Sequence, residues 1–183
     1  MAGIFLVLIF VLAVFVMGTF NSLVTARNQV KNAWSQIDVQ LKRRHDLIPN
    51  LIETVKGYMN HERETLEAVT KMRQQAINIT GDINQQAQIE NMLSQSLKSL
   101  FAVSENYPDL KANQNFLSLK EELSSTENKI AFARQFYNDS VMKLNNAVQM
   151  FPGNLIAGMF GFQTEQSFEI ENQNEKEVPQ VKF

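Results

Sequence analysis

The chain of 183 residues has no cysteine, four prolines, seven glycines, one tryptophan and two histidines. Without thiols there is no disulfide, no thiolate metal site and no cysteine nucleophile, and the redox compartment stays open. So few helix breakers leave room for long uninterrupted helices. Neither histidine stands in a metal-binding pattern. His61-Glu62 opens no HExxH motif, because position 65 is Thr. The residues three before His45 and His61 are Lys42 and Tyr58, so the Glu-x-x-His pair of di-iron bundles is missing too. No nucleophile, base and metal converge, so the sequence points away from an enzyme and requires no cofactor.

Charge is also missing from residues 2–26, and residues 4–17 (IFLVLIFVLAVFVM) are apolar throughout. A helix needs about 20 apolar residues to cross ~30 Å of hydrocarbon, and in lipid a lone span must be helical to satisfy its own backbone. Residues 1–26 are therefore expected to be a transmembrane anchor, with membrane lipid as the partner of residues 2–26. The rival is a cleaved signal peptide ending at Val24-Thr25-Ala26. The lack of Lys or Arg ahead of the apolar core favours the anchor. After the span come Arg27 and Lys31, with no acid until Asp38, against only the α-amine of Met1 before it. The positive-inside rule then puts the rest in the cytoplasm, at a cell (inner) membrane crossed once. A periplasmic or extracytoplasmic body is the alternative.

A strongly basic face is absent as well. Net charge is −2, with nine basic and six acidic side chains in 27–80, six and eight in 81–151, and two and five in 152–183. This gradient excludes a nucleic-acid footprint and favours antiparallel packing of an early basic helix on a later acidic one.

What is present is helical periodicity. Val30, Trp34, Ile37, Leu41, Ile48, Leu51, Val55 and Tyr58 step by four and three, with Arg44 filling the slot between Leu41 and Ile48. Such a seam must be buried against another helix. Pro49 removes the partner of the His45 carbonyl and crowds that turn. Either the helix kinks there and continues, as the unbroken phase suggests, or Asp46 caps a new helix with Pro49 in its first turn. Helix resumes through Leu66, Val69, Met72 and Ala76 and ends in turn formers at 78–82, where Thr80 or Asp82 can cap the next. That helix carries Ile83, Ala87, Met92, Leu93, Leu97, Leu100, Phe101 and Val103 and stops at Tyr107-Pro108-Asp109. The last long helix is predicted over 113–151, on Phe116, Leu119, Leu123, Ile130, Ala133, Tyr137, Val141, Leu144, Val148 and Phe151. The expected fold is all-α: a single transmembrane helix, an antiparallel three- to four-helix bundle over 27–151 with turns near 78–82 and 107–112, an apolar glycine-containing element over 152–162, and an acidic tail over 163–183.

Three blocks carry a resemblance to a known family: residues 27–62 (RNQVKNAWSQIDVQLKRRHDLIPNLIETVKGYMNHE), residues 107–139 (YPDLKANQNFLSLKEELSSTENKIAFARQFYND) and residues 151–162 (FPGNLIAGMFGF). With the ending PQVKF (179–183), the chain resembles the bacterial LemA family over nearly its whole length. The resemblance implies a single-span membrane protein with a long antiparallel helical domain. It supplies no catalytic residues. A relative in magnetosome-forming bacteria is associated with shaping the magnetosome membrane, which hints at a membrane-organising role.

The densest basic run, Lys42-Arg43-Arg44-His45, lies ~23 Å past the span along a straight helix. That exceeds a Debye length of ~8 Å, so an anionic-lipid patch is disfavoured. Arg44 reads instead as a seam charge that can fix register, among neighbours pairing with Glu121, Glu122 or Glu127. On that reading Arg44→Leu keeps or raises helical stability while broadening oligomer size. The polar stretch 124–129 is either a solvated face or a buried polar layer facing Arg44. Trp34 is expected in the core. The segment LIAGMFGF (155–162) either caps the end of the bundle or docks onto membrane or a neighbouring subunit.

The function expected is a self-associating, membrane-anchored scaffold that organises membrane or membrane-protein partners, without catalysis. The candidate contacts are Val30, Trp34, Ile37 and Leu41, where the first helix outreaches its fellows and lacks a partner within the chain, Arg44 as register charge, Pro49 as kink, and Leu155, Met159, Phe160 and Phe162 at the far element. The alternative is an adaptor or regulator of a membrane protease, phosphatase or signalling protein, using the acidic tail.

Overall fold

One helix, α1 (Ala2–Lys56), carries the apolar N-terminal segment into the body of the protein and runs straight through Pro49. The computed structural model describes residues 2–59, 61–79, 81 and 83–168. Among them the chain is all-α and without strands. After α1 come α2 (Arg63–Asn78), α3 (Ile83–Ser104), the short α4 (Pro108–Lys111), α5 (Gln114–Gln149) and α6 (Gly153–Phe160). The proposed caps Thr80 and Asp82, and the tail from 169 to 183, lie outside the described residues.

The reason α1 survives Pro49 is a side chain. A proline at position 49 leaves the His45 carbonyl without its helical donor, and Arg73 of α2 donates to that carbonyl at 2.7 Å. A buried carbonyl left unmade would cost about 1–3 kcal/mol. The alternative start at Asp46 is not used. The break between α1 and α2 falls instead at Gly57–Glu62.

The described chain divides into two compact units, one of residues up to 41 with 127–167, and one of residues 42–126 with 168. In the first unit α1 and α5 lie antiparallel: Trp34 meets Tyr137, and Thr19, Ser22 and Leu23 lie beside Asn146, Ala147 and Met150. Their buried stripes are Val30, Ala33, Ile37 and Leu41 on α1, with Ala33 fully buried in place of the expected Trp34, and the expected Ile130, Ala133, Tyr137, Val141 and Leu144 on α5. At the end of α5 the backbone turns tightly: a methyl group on Gly153 would stand 2.2 Å from the Ala147 carbonyl oxygen. Gly161 then ends α6 in the left-handed conformation, φ 71°, which glycine adopts without cost.

The second unit is a four-helix bundle of the C-terminal part of α1, α2, α3 and the N-terminal part of α5. Its core includes Ile48, Leu51, Val55, Val69, Leu93, Leu97, Leu100, Phe116 and Leu123. Direction alternates: α2 returns so that Arg73 reaches His45, and α3 runs back until Tyr107, just beyond its end, meets Glu62. Asn113 starts α5, its Oδ1 accepting from the Phe116 N–H at 3.1 Å while its amide donates to the Tyr58 hydroxyl. Such a cap is worth ~1 kcal/mol.

Candidate interaction surfaces and a buried charge cluster

In the first unit α1 and α5 bury their stripes on each other and still leave apolar surface over. Val39, Phe132 and Phe136 are exposed. With Ser35, Gln36, Gln40, Lys129 and Ala133 they line an open groove of about 580 Å³. Phe132 is 72% exposed, more than any span residue from Ile4 to Met17. A patch of this kind rimmed by polar groups marks a contact site more often than a lone exposed leucine does.

Tyr137 sits under Trp34 in edge-to-face contact, 5.4 Å between ring centroids. Its hydroxyl donates to the Gln166 carbonyl at 2.9 Å. Burial, with the Glu165 charge nearby, pushes the phenol up to about 12. Asn145 holds the same strand of backbone, donating to the Glu165 carbonyl and accepting from the Glu165 N–H, each at 2.9 Å. Glu165 and Gln166 are therefore tied to α5.

The apolar element 155–162 is α6 and its exit, and it packs on α1 at the point where the apolar segment ends. Leu23, Ile156, Ala157 and Phe162 form a cluster with Val16, Phe20 and Val24 against them. The Phe20 ring meets those of Phe160 and Phe162 edge-on, at 4.8 and 5.7 Å. The Arg27 guanidinium stands 5.0 Å over the Phe162 ring. The placement differs from the expected far end. An antiparallel α5 of 36 residues, about 54 Å long at 1.5 Å per residue, brings the chain back to where it started.

In the second unit Arg44 is fully buried, as a seam residue must be. Among its partners are two side chains of α3. Nη2 pairs with the Glu90 carboxylate, Nη1 donates to Ser94 Oγ at 2.8 Å, and His45 Nε2 lies 3.0 Å from the other Glu90 oxygen. Burial works to raise the Glu90 carboxyl, but the His45 contact and the Arg44 and His45 charges outweigh it and hold the group below its ordinary value. Within the polar stretch 124–129, Thr126 is buried and donates to its own helix at the Glu122 carbonyl. Of the acids named as partners, Glu122 pairs with the half-exposed Arg43 at 3.5 Å. Among the described residues no three His, Asp or Glu side chains converge as metal ligands.

The first quartet of candidate contacts is thus placed differently from expectation. Val30, Ile37 and Leu41 are buried within the chain and Trp34 is half-buried against Tyr137, so they present no unpartnered edge. Leu155, Met159 and Phe160 are exposed and Phe162 is buried. Three functional groups escaped the sequence reading. Glu90 left a signal, because it occupies the stripe slot between Ala87 and Leu93 as Arg44 occupies one on α1. Phe132 and Phe136 were visible as apolar residues one helical turn apart beside the main stripe. Arg73 gave no signal, since nothing local ties it to a carbonyl 28 residues earlier.

Comparison with known proteins adds two findings. A family model described as the LemA family matches residues 33–183. Protein LemA of Metamycoplasma hominis is 29% identical over 158 residues, covering 84% of this chain and 72% of that protein.

Proposed function

The chain belongs to the LemA family, and we propose that it is a non-catalytic, membrane-anchored structural protein that self-associates side by side in the bilayer and organises membrane or membrane-protein partners. α1 is long and apolar enough at its N-terminal end to cross a membrane, and its residues there expose their side chains from Ile4 to Val14. Val16, Phe20, Leu23 and Val24 also cover α6, so cleavage after Ala26 would strip the first unit of part of its core. That supports a retained anchor, with Arg27 and Lys31 favouring a cytoplasmic body.

The observation that carries the self-association is the uncovered groove of Val39, Phe132 and Phe136. Anchoring confines copies to one plane and raises their effective concentration, so a modest apolar contact suffices for an array. The full-length protein in detergent or lipid nanodiscs, weighed by native mass spectrometry or light scattering, should be larger than one copy. Phe132→Glu with Phe136→Glu should return it to single copies while helicity is kept. A wild-type protein that is monomeric at all concentrations removes the proposal.

The adaptor reading has one observation in its favour. The second unit carries a groove of about 890 Å³ lined by Ile48, Ile52, Met59 and Leu66 and edged by charges of both signs, with Lys56 paired to Glu53 and Arg63 to Glu67. That combination suits an amphipathic helix. If Ile52→Glu abolishes capture of a defined membrane protein from detergent extract and the groove of the first unit is dispensable, the adaptor reading replaces the scaffold.

A further inference from the structure

The second apolar element of the chain is uncovered on the side away from α1. Met150, Phe151, Leu155 and Met159 are exposed by 58 to 79%. On the other side Ile156 and Ala157 are buried against α1. An apolar helix face belongs in a core or in lipid, and among the described residues of the first unit none covers this face. Charge is missing here as it is from the span: between Lys143 and Glu165 no residue is charged.

We propose that α6 and the turn before it form a second membrane-contacting element, lying in the interface of the leaflet from which α1 emerges. The occupant of the exposed face is the lipid at the headgroup and upper acyl level. This rests on the reading of the first part of α1 as a bilayer span. A span of about 20 residues beginning at Gly3 ends near Ser22. The residues of α1 that hold α6 are Val16, Phe20, Leu23 and Val24, so they straddle that end. Val16 lies ~9 Å inside Ser22 along the helix, and amphipathic interfacial helices sink ~5–10 Å into this boundary. The first cation on α1 is at the matching level, Arg27 over the Phe162 ring, where a guanidinium can reach phosphate while its stem stays on apolar surface. Asn145, Asn146, Asn154 and Thr164 supply uncharged polar groups suited to the headgroup layer.

Lipid is favoured over a second copy because the exposed residues continue the apolar surface of the span. A second copy would have to cover a face whose neighbour along α1 is already in hydrocarbon.

The absence of cysteine permits a direct test. Single variants Phe10→Cys, Leu155→Cys, Met159→Cys and Phe132→Cys of the full-length protein are labelled with a nitroxide and reconstituted in vesicles of phosphatidylcholine with a minor share of phosphatidylglycerol. Collision with oxygen, which concentrates in lipid, is compared with collision with a water-soluble nickel chelate. The depth parameter should be strongly positive at position 10, positive at 155 and 159, and negative at 132. A positive value at 10 with negative values at 155 and 159 overturns the interfacial helix alone. A negative value at 10 overturns the span itself. Exclusion of both reagents at 159, with spin–spin broadening between labelled copies, shows that a second chain covers α6 and also overturns the proposal. Retained helicity by circular dichroism confirms that each variant is folded. Should the label at 159 disturb packing, 155 reports the same face one turn away.

Discussion

At Tyr137 the first unit closes a helix pair with the edge of an aromatic ring; at Glu90 the second closes four helices with a carboxylate shared by an arginine and a histidine. The first unit is held largely by apolar area and rings, with Arg134 also buried in it, and leaves apolar groups uncovered. The second spends its interior on groups that tolerate no missing partner: Arg44 needs Glu90, and the backbone broken by Pro49 needs Arg73. Area-based packing is tolerant and sticky, which suits the proposed place of this segment beside lipid and other copies. A buried charge pair is intolerant and directional, and it specifies which helix goes where. That second statement is a proposal for this bundle, because a buried ion pair adds little net stability by itself.

The largest test breaks the charge pair on one side. Glu90→Leu leaves Arg44 buried without its counter-charge and should cost about 3–5 kcal/mol. The loss should read as reduced hydrogen-exchange protection in α3 and the C-terminal part of α1, with the Tyr137 region less affected. Arg44→Leu alone takes the guanidinium from buried Glu90, leaving it the His45 contact, and should likewise destabilise, contrary to what the seam reading of Arg44 suggests. Arg44→Met with Glu90→Met should recover the loss and can exceed wild type by ~1–4 kcal/mol. Equal loss in single and double variants would mean that the cluster is not acting as a pair.

The next test sharpens the backbone half of the comparison. Arg73→Met keeps the aliphatic stem but strands the His45 carbonyl, at about 1–3 kcal/mol. Restoring the helical N–H with Pro49→Ala should make the same substitution much less costly. A double-mutant cycle by urea denaturation reads this coupling; a cycle that closes to zero removes the capping role of Arg73.

The smallest effect is in pH. Glu90 has a depressed value in the folded state, so its contribution is complete above the ordinary 4.5 and is lost as pH falls through the lowered value. Tyr137 is raised from 10.0 to about 12, so the unfolded chain ionises first and stability drains between these values as pH rises. Acid should therefore loosen the second unit first and alkali the first unit. Tyr137→Phe should abolish the alkaline step at a neutral-pH cost of about 0.5–1.5 kcal/mol for the lost hydrogen bond to Gln166. A thermal melt followed by local hydrogen exchange at both ends of the pH range checks the order, and simultaneous loss of both units would erase the contrast.

Much of the fold was legible because it is written in local spacing. The span, the four-and-three stripes of α1 and α5, the stop at Tyr107-Pro108 and the turn at Pro152-Gly153 all depend on neighbours within a few residues, and a helix shows its buried face at every turn. Even the burial of Arg44 followed from its slot. The choice between a kinked and an interrupted helix at Pro49 did not follow, since it turns on a donor from α2. Nor did the pairing of Arg44 with Glu90, because the two lie 46 positions apart and only the alternation of helix directions brings α3 within reach.

The sequence by itself determined that this protein has an apolar segment able to cross a bilayer, that it is helical, and which stripe each helix buries. Periodicity and hydropathy are properties of the chain, readable before it folds. Which stripes meet, and which apolar residues stay uncovered, was decided only by tertiary structure. Antiparallel return of α5 carries α6 to residues 16–24 of α1 and buries Val30, Ile37 and Leu41, while Phe132, Phe136 and Met159 remain outside. Contacts between helices depend on direction and register, which a single stripe does not encode.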